Sequence, residues 1–175
     1  MDGLSTSTRA ALTGLRENLA GIGSPEGITT TVATGQALFW ACVLDGRLEA
    51  SREYRVRRGQ DPVGRLLPGL RIARNALTHG ATVVVLPSMH VNGIGDRPLA
   101  IRAPRWAEFG SIRRGLSIEP NAQAQALWRS SIEGNNALAT MSMVHEWLST
   151  EIDSGGYQDV LDGNAVPPRV TRRHG

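Results

Sequence analysis

Lysine is absent from this 175-residue chain: all 19 of its basic side chains are arginine. Two explanations fit that bias. Guanidinium forks grip phosphate oxygens bidentately, which suits phosphate recognition, and a GC-rich genome also favours Arg, Ala and Gly codons over Lys. Cysteine occurs once, at Cys42, so an intramolecular disulfide is excluded. No apolar run approaches the roughly 18 residues of a membrane span, and no apolar signal segment opens the chain. The expected setting is therefore a reducing cytoplasm without a membrane.

What is present is ordinary for a globular protein. Apolar residues make up 41% and charged residues 20%, with a net charge of +3. The length suits one domain, large enough to build a core without disulfide or metal. The positive balance permits a nucleic-acid partner without requiring one.

Leu12, Leu15 and Leu19 recur at helical steps, so a first helix is expected over 5–20, capped by Ser5 or Thr6 and ended by Gly21 to Pro25. A second is expected over 29–50, apolar all round at its centre, as in the middle helix of a bundle. Residues 51–60 carry Arg52, Arg55, Arg57 and Arg58 and read as a solvated connector or as a basic loop facing an anion. A third helix is expected from Asp61 and Pro62 to His79, stopped by Gly80. Pro68 inside it implies a kink or a later start near Gly69. Ala81–Leu86 reads as a strand, the turn residues Val91–Asp96 come next, and Leu99–Arg102 pairs back as a hairpin inserted between helices. Two more helices are expected over 122–131 and 136–152, the second with an inward stripe of Leu138, Met141, Val144, Leu148 and Ile152. The organisation expected is a helical domain over 1–152, with the hairpin at about 81–105, and a loose tail over 153–175.

The third helix carries the chemistry. Val63, Leu66, Leu67, Leu70, Ala73 and Leu77 share one face, with Arg74 near its middle. An arginine there needs an anion. Asp45 and Glu49, one turn apart on the second helix, are internal candidates, and a bound phosphate is the alternative. Asn75 and His79 project from a common side. An imidazole at a helix C-terminus suits acid–base work near neutral pH, and a C-capping histidine uses the same place. His145–Glu146 reads as a surface pair, His90 and Asp96 as loop chemistry, and Gly93-x-Gly95 is too short for a phosphate loop. Trp40, Trp106, Trp128 and Trp147 read as core and interface anchors, and Cys42 as an inert thiol.

The stretch Leu70 to Gly80, with Arg74-Asn75-x-x-x-His79 near the close of a helix, resembles the RNase motif of HEPN domains. The bare Arg–His spacing recurs at Arg169 to His174, but without the Asn and without a helical context. The stretch Ala126 to Gly134, then Ala137 to Leu148, also resembles the C-terminal helices of small bacterial members. The resemblance implies a mainly α, four- to five-helix bundle that dimerises so that two motifs meet. It implies a metal-independent endoribonuclease of toxin or defence type, with no cofactor, an RNA substrate and a protein antitoxin or other regulatory partner. Arg74, Asn75 and His79 would be its catalytic residues and Asp45 and Glu49 their support. A non-catalytic bundle that binds a protein or nucleotide is the alternative the same resemblance allows.

Overall fold

The computed structural model describes residues 5–91, 99–154 and 157. Helix α1 (Thr6–Ile22) starts where the Ser5 hydroxyl accepts the Thr8 amide, 3.3 Å away, satisfying one of the orphan donors of a helix start. Four residues later α2 (Gly27–Leu48) begins. The short link makes the two helices neighbours, and theirs is the most extensive helix pairing in the chain. They approach so closely at Gly21 that an added Cβ would lie 2.6 Å from that of Ala33.

Helix α2 is the central element, in contact with α1, α4 and α7. By length and composition it is apolar enough to cross a membrane, a longer apolar stretch than expected from the sequence. Within the fold its Ala37, Leu38, Ala41, Leu44 and Leu48 are fully buried, the packing of a core helix.

Residues 51–60 are not a solvated connector. They form α3 (Arg52–Gln60), capped by Ser51 and supported by a Glu53–Arg57 ion pair one turn apart. Asp61 is a cap, as expected, and accepts the amides of Val63 and Gly64 at 2.7 and 3.0 Å. A 3-10 turn, Gly64–Leu66, intervenes, and α4 spans Leu67–Thr78 with Pro68 in its first turn. The proline thus delays the start, since its missing N–H costs nothing at that position.

The insertion is a hairpin with a different pairing from the one expected. Strand β1 (Val84–Val85) pairs with β4 (Arg105–Trp106), and β2 (Ser88–Val91) pairs with β3 (Leu99–Arg102). The register is continuous across both pairs, so this is one ladder with a gap. Pro87 and Pro104 occupy the gap, where each lacks the donor a ladder needs. Residues 92–98, and with them most of the expected turn, lie outside the described residues.

The hairpin base is tied to the C-terminal helices. Pro104 and Trp106 exchange main-chain hydrogen bonds with Gly134, Asn135 and Ala137. Trp106 and Trp128 are buried edge to face, with centroids 6.0 Å apart, and the Trp128 indole donates to the Ala107 carbonyl at 3.2 Å. A short helix that the sequence did not suggest, α5 (Phe109–Arg113), precedes α6 (Ala122–Ser131) and α7 (Ala137–Asp153). In the expected stripe of α7, Met141, Val144, Leu148 and Ile152 are buried and Leu138 packs partly against the core. The fold is mainly helical, with small antiparallel strand pairs.

The start of the expected tail is anchored. Tyr157 is buried, stacks edge-on against Tyr54 and donates to Glu151 at 2.9 Å. Residues 158–175 lie outside the described residues.

Candidate functional site

Three helices converge on a cluster of charges. Asp45 on α2 is fully buried. Its carboxylate accepts from the Tyr54 hydroxyl at 2.7 Å and from Arg58 at 2.9 Å, both on α3, and forms an ion pair with Arg71 on α4 at 2.5 Å. Glu49, one turn along α2, accepts from the same two guanidinium groups, Arg58 at 2.5 Å and Arg71 at 2.7 Å. Two carboxylates and two guanidiniums therefore cancel within one network. Such a set is tolerated in a core because each charge is paired and hydrogen-bonded.

The electrostatics reflect this geometry. Burial pushes the Glu49 carboxyl up, but hydrogen bonds from Arg71 and Arg58 outweigh that and hold it below its ordinary value. Tyr54 is driven far above the normal phenol range by burial and by the Asp45 charge. It stays protonated and acts as a donor.

Asp45 and Glu49 were the expected internal partners of Arg74, and the structure gives them to Arg58 and Arg71 instead. Arg71 sits three residues before Arg74 on the same side of α4, so the helical wheel alone did not separate them. Arg58 lay in the segment read as a connector. Among the described residues Arg74 forms no ion pair with either carboxylate. Its Nη2 donates to the Asn75 Oδ1 at 2.7 Å, and its Nε is buried without a hydrogen-bond partner. Asn75 is thus brought to Arg74 rather than to His79.

Arg74 lines a shallow cavity of about 220 Å³ with Cys42, Val43, Gly46, Glu49 and Arg71. Burial pushes the Cys42 thiol up to about 11, against the pull of Arg74 and Arg71. The thiol is protonated at neutral pH and is a poor nucleophile.

His79 ends α4. The Ala81 amide donates to the Ala76 carbonyl and Gly80 to Leu77, both at 3.0 Å, with Gly80 at φ 81°, and the Thr78 hydroxyl donates to the Asn75 carbonyl at 2.7 Å. This is a Schellman arrangement with glycine in the left-handed conformation. The imidazole of His79 is not part of the cap. It is exposed and does not line the Arg74 cavity. Five residues along a helix turn a side chain by about 140° from Arg74, which accounts for the separation within one copy.

The remaining sequence candidates lie elsewhere. His145 is half-buried in a groove with Arg9, Arg16 and Asp153, where burial and the Arg16 charge lower its pKa. Gly93, Gly95 and Asp96 fall outside the described residues. Among the described residues no group of three or more His, Cys, Asp or Glu side chains is placed to hold a metal ion.

No protein-family model, curated protein or solved structure matches this chain. The fold and the site define a mainly helical protein with a carboxylate–guanidinium cluster built around the buried Asp45 and a spare arginine at its edge.

Proposed function

We propose that this chain is a metal-independent endoribonuclease of the HEPN kind, with a HEPN-like helical bundle that works as a homodimer. The observation that carries the reading is the surplus guanidinium. Arg58 and Arg71 neutralise Asp45 and Glu49, so Arg74 is not needed to hold the bundle together. Its Nε is a buried donor without a partner at the edge of an open cavity, and an unsatisfied donor of this kind favours a ligand oxygen.

In this reading Arg74 holds the scissile phosphate and stabilises the negative charge that grows on it. Asn75 keeps the guanidinium aimed. The RNA 2′-oxygen attacks phosphorus, the 5′-oxygen leaves, and a 2′,3′-cyclic phosphate remains. His79 transfers a proton, either from the 2′-hydroxyl or to the leaving 5′-oxygen, a contribution of about 10²–10⁴ in rate. Because His79 lies outside the Arg74 cavity of its own copy, the site is completed by a second copy related by two-fold symmetry. The outer face of α2 supports a partner there: Ile28, Val32 and Phe39 are 82%, 54% and 47% exposed and lie within about 40° of one another around the helix. A nuclease of toxin or defence type would be held in check by a protein partner.

The test is RNA cleavage in the presence of a chelator by wild type, Arg74→Ala and His79→Ala. The expected result is cleavage by wild type and a loss of roughly 100-fold or more in each variant. Undiminished cleavage by folded His79→Ala would remove the enzyme reading. The exposed position of His79 favours a second reading, a non-catalytic module in which Arg74 binds a nucleotide phosphate or an acidic partner. Phosphate-ligand binding that depends on Arg74, in a wild type that cleaves no RNA, selects it.

A further inference from the structure

On the other side of the charge cluster lies a separate cleft of about 330 Å³, at the lower end of the roughly 300–1,000 Å³ range of small-molecule sites. Three arginines line it: Arg55 and Arg58 from α3 and Arg65 from the 3-10 turn. No carboxylate lines it among the described residues. Arg58 is already neutralised by Asp45 and Glu49. Arg55 and Arg65 are exposed and make no ion pair among the described residues; Arg55 rests on the main-chain carbonyls of Glu49 and Ala50. Two positive charges therefore face the cleft uncancelled.

The opposite wall is the start of α6, where Asn121 and Gln123 line the cleft. Asn121 caps Ala124, with its Oδ1 accepting that amide at 2.8 Å. The amides of Ala122 and Gln123 precede the first intrahelical bond and are free to donate. Pro68 and Leu127 add an apolar surface. Guanidiniums and free amides suit phosphate oxygens, and an apolar patch beside them suits a base.

We infer that this cleft binds a nucleotide through its phosphate, either a free mononucleotide or one unit of a single strand. The site is distinct from the proposed cleavage centre, since neither Arg74 nor His79 lines it.

The experiment titrates the full chain with three probes: AMP, inorganic phosphate, and a 2′-O-methyl RNA hexamer, which lacks the free 2′-hydroxyl that cleavage requires. Arg55→Gln/Arg65→Gln is expected to weaken binding roughly a hundredfold, because each lost charge-assisted bond is worth about tenfold. For the hexamer the slope of log affinity against log salt should fall by about 1.4, at about 0.7 per lost phosphate contact. Gln123→Glu should weaken binding as well while leaving thermal stability unchanged or higher, since a carboxylate suits a helix start but repels phosphate. The same titrations are run in the Arg74→Ala background, where Arg55→Gln/Arg65→Gln should still weaken what binding remains by the same factor, so failure here is separable from failure of the nuclease reading.

AMP binding identifies a free nucleotide as the ligand, and hexamer binding without AMP binding identifies a strand. Wild type that binds neither overturns the inference, as do unchanged affinities in the double variant. Inorganic phosphate bound as tightly as AMP overturns the nucleotide assignment.

Discussion

Replacing Asp45 by alanine removes the acceptor on which Tyr54, Arg58 and Arg71 converge. Arg58 and Arg71 are left to share Glu49, with one positive charge in excess, and the Tyr54 hydroxyl loses its partner inside the core. Breaking one side of a buried ion pair costs about 3–5 kcal/mol. The stranded phenol hydroxyl overlaps with that figure at about 1–3 kcal/mol. Asp45→Asn keeps one acceptor oxygen for Tyr54 and Arg58 but gives up the charge and turns an NH2 donor toward Arg71, so it should recover only part of the alanine penalty. A double-mutant cycle separates the parts. In wild type Tyr54→Phe removes a hydrogen bond to a charged acceptor and should cost about 1.5–3 kcal/mol. In the Asp45→Ala background the same change removes an orphaned hydroxyl and should restore up to about 1–3 kcal/mol. Urea unfolding with an unchanged m-value reads all four corners. An Asp45→Ala penalty below about 1 kcal/mol, set against that ion-pair figure, would refute the reasoning. So would additive effects in the cycle.

The same geometry has three further consequences. The folded-state pKa of Glu49 is depressed, so its contribution is fully present above the unfolded value of about 4.3 and is lost as pH falls through the folded one; Glu49→Gln should flatten that acid limb of stability measured by urea unfolding across pH. Gly80→Ala meets no atom within 4 Å, so its cost is that of a left-handed backbone alone, about 1–2 kcal/mol, read by thermal unfolding. On the proposed pairing through the exposed stripe of α2, light scattering should find a wild-type dimer and a Phe39→Glu monomer whose unfolding midpoint stays near that of wild type; a monomeric wild type, or a variant that still pairs, would contradict that pairing.

The parts of this fold legible in the sequence are those whose signal is local. Helices α1, α2 and α7 show apolar spacing, and Asn136 caps α7 where the pattern begins. The hairpin insertion was visible from its β-branched run and prolines, but its pairing was not, because Pro87 and Pro104 interrupt a ladder that continues beyond them. Helix α3 was missed because Tyr54 is its one buried residue; the Ser51 cap and the Glu53–Arg57 spacing were the available clues. At the site, the sequence pointed to Arg74 as the partner of the α2 carboxylates, and the structure gives them to Arg71 and Arg58 instead. That choice depends on how α4 is rotated and on Arg58 arriving from α3, both tertiary facts. Tyr157 shows the same limit, since its burial depends on Tyr54 and Glu151 being next to it.

The most direct test of the 2′-hydroxyl mechanism uses two oligonucleotides that differ by one oxygen. The first is an RNA that the wild-type chain cleaves in chelator. The second carries a single 2′-deoxynucleotide on the 5′ side of the cleaved bond. Mass spectrometry of the products should show a 2′,3′-cyclic phosphate from the first and no cleavage at that bond in the second. Cleavage of both, or a 5′-phosphate on the downstream fragment, would contradict the account.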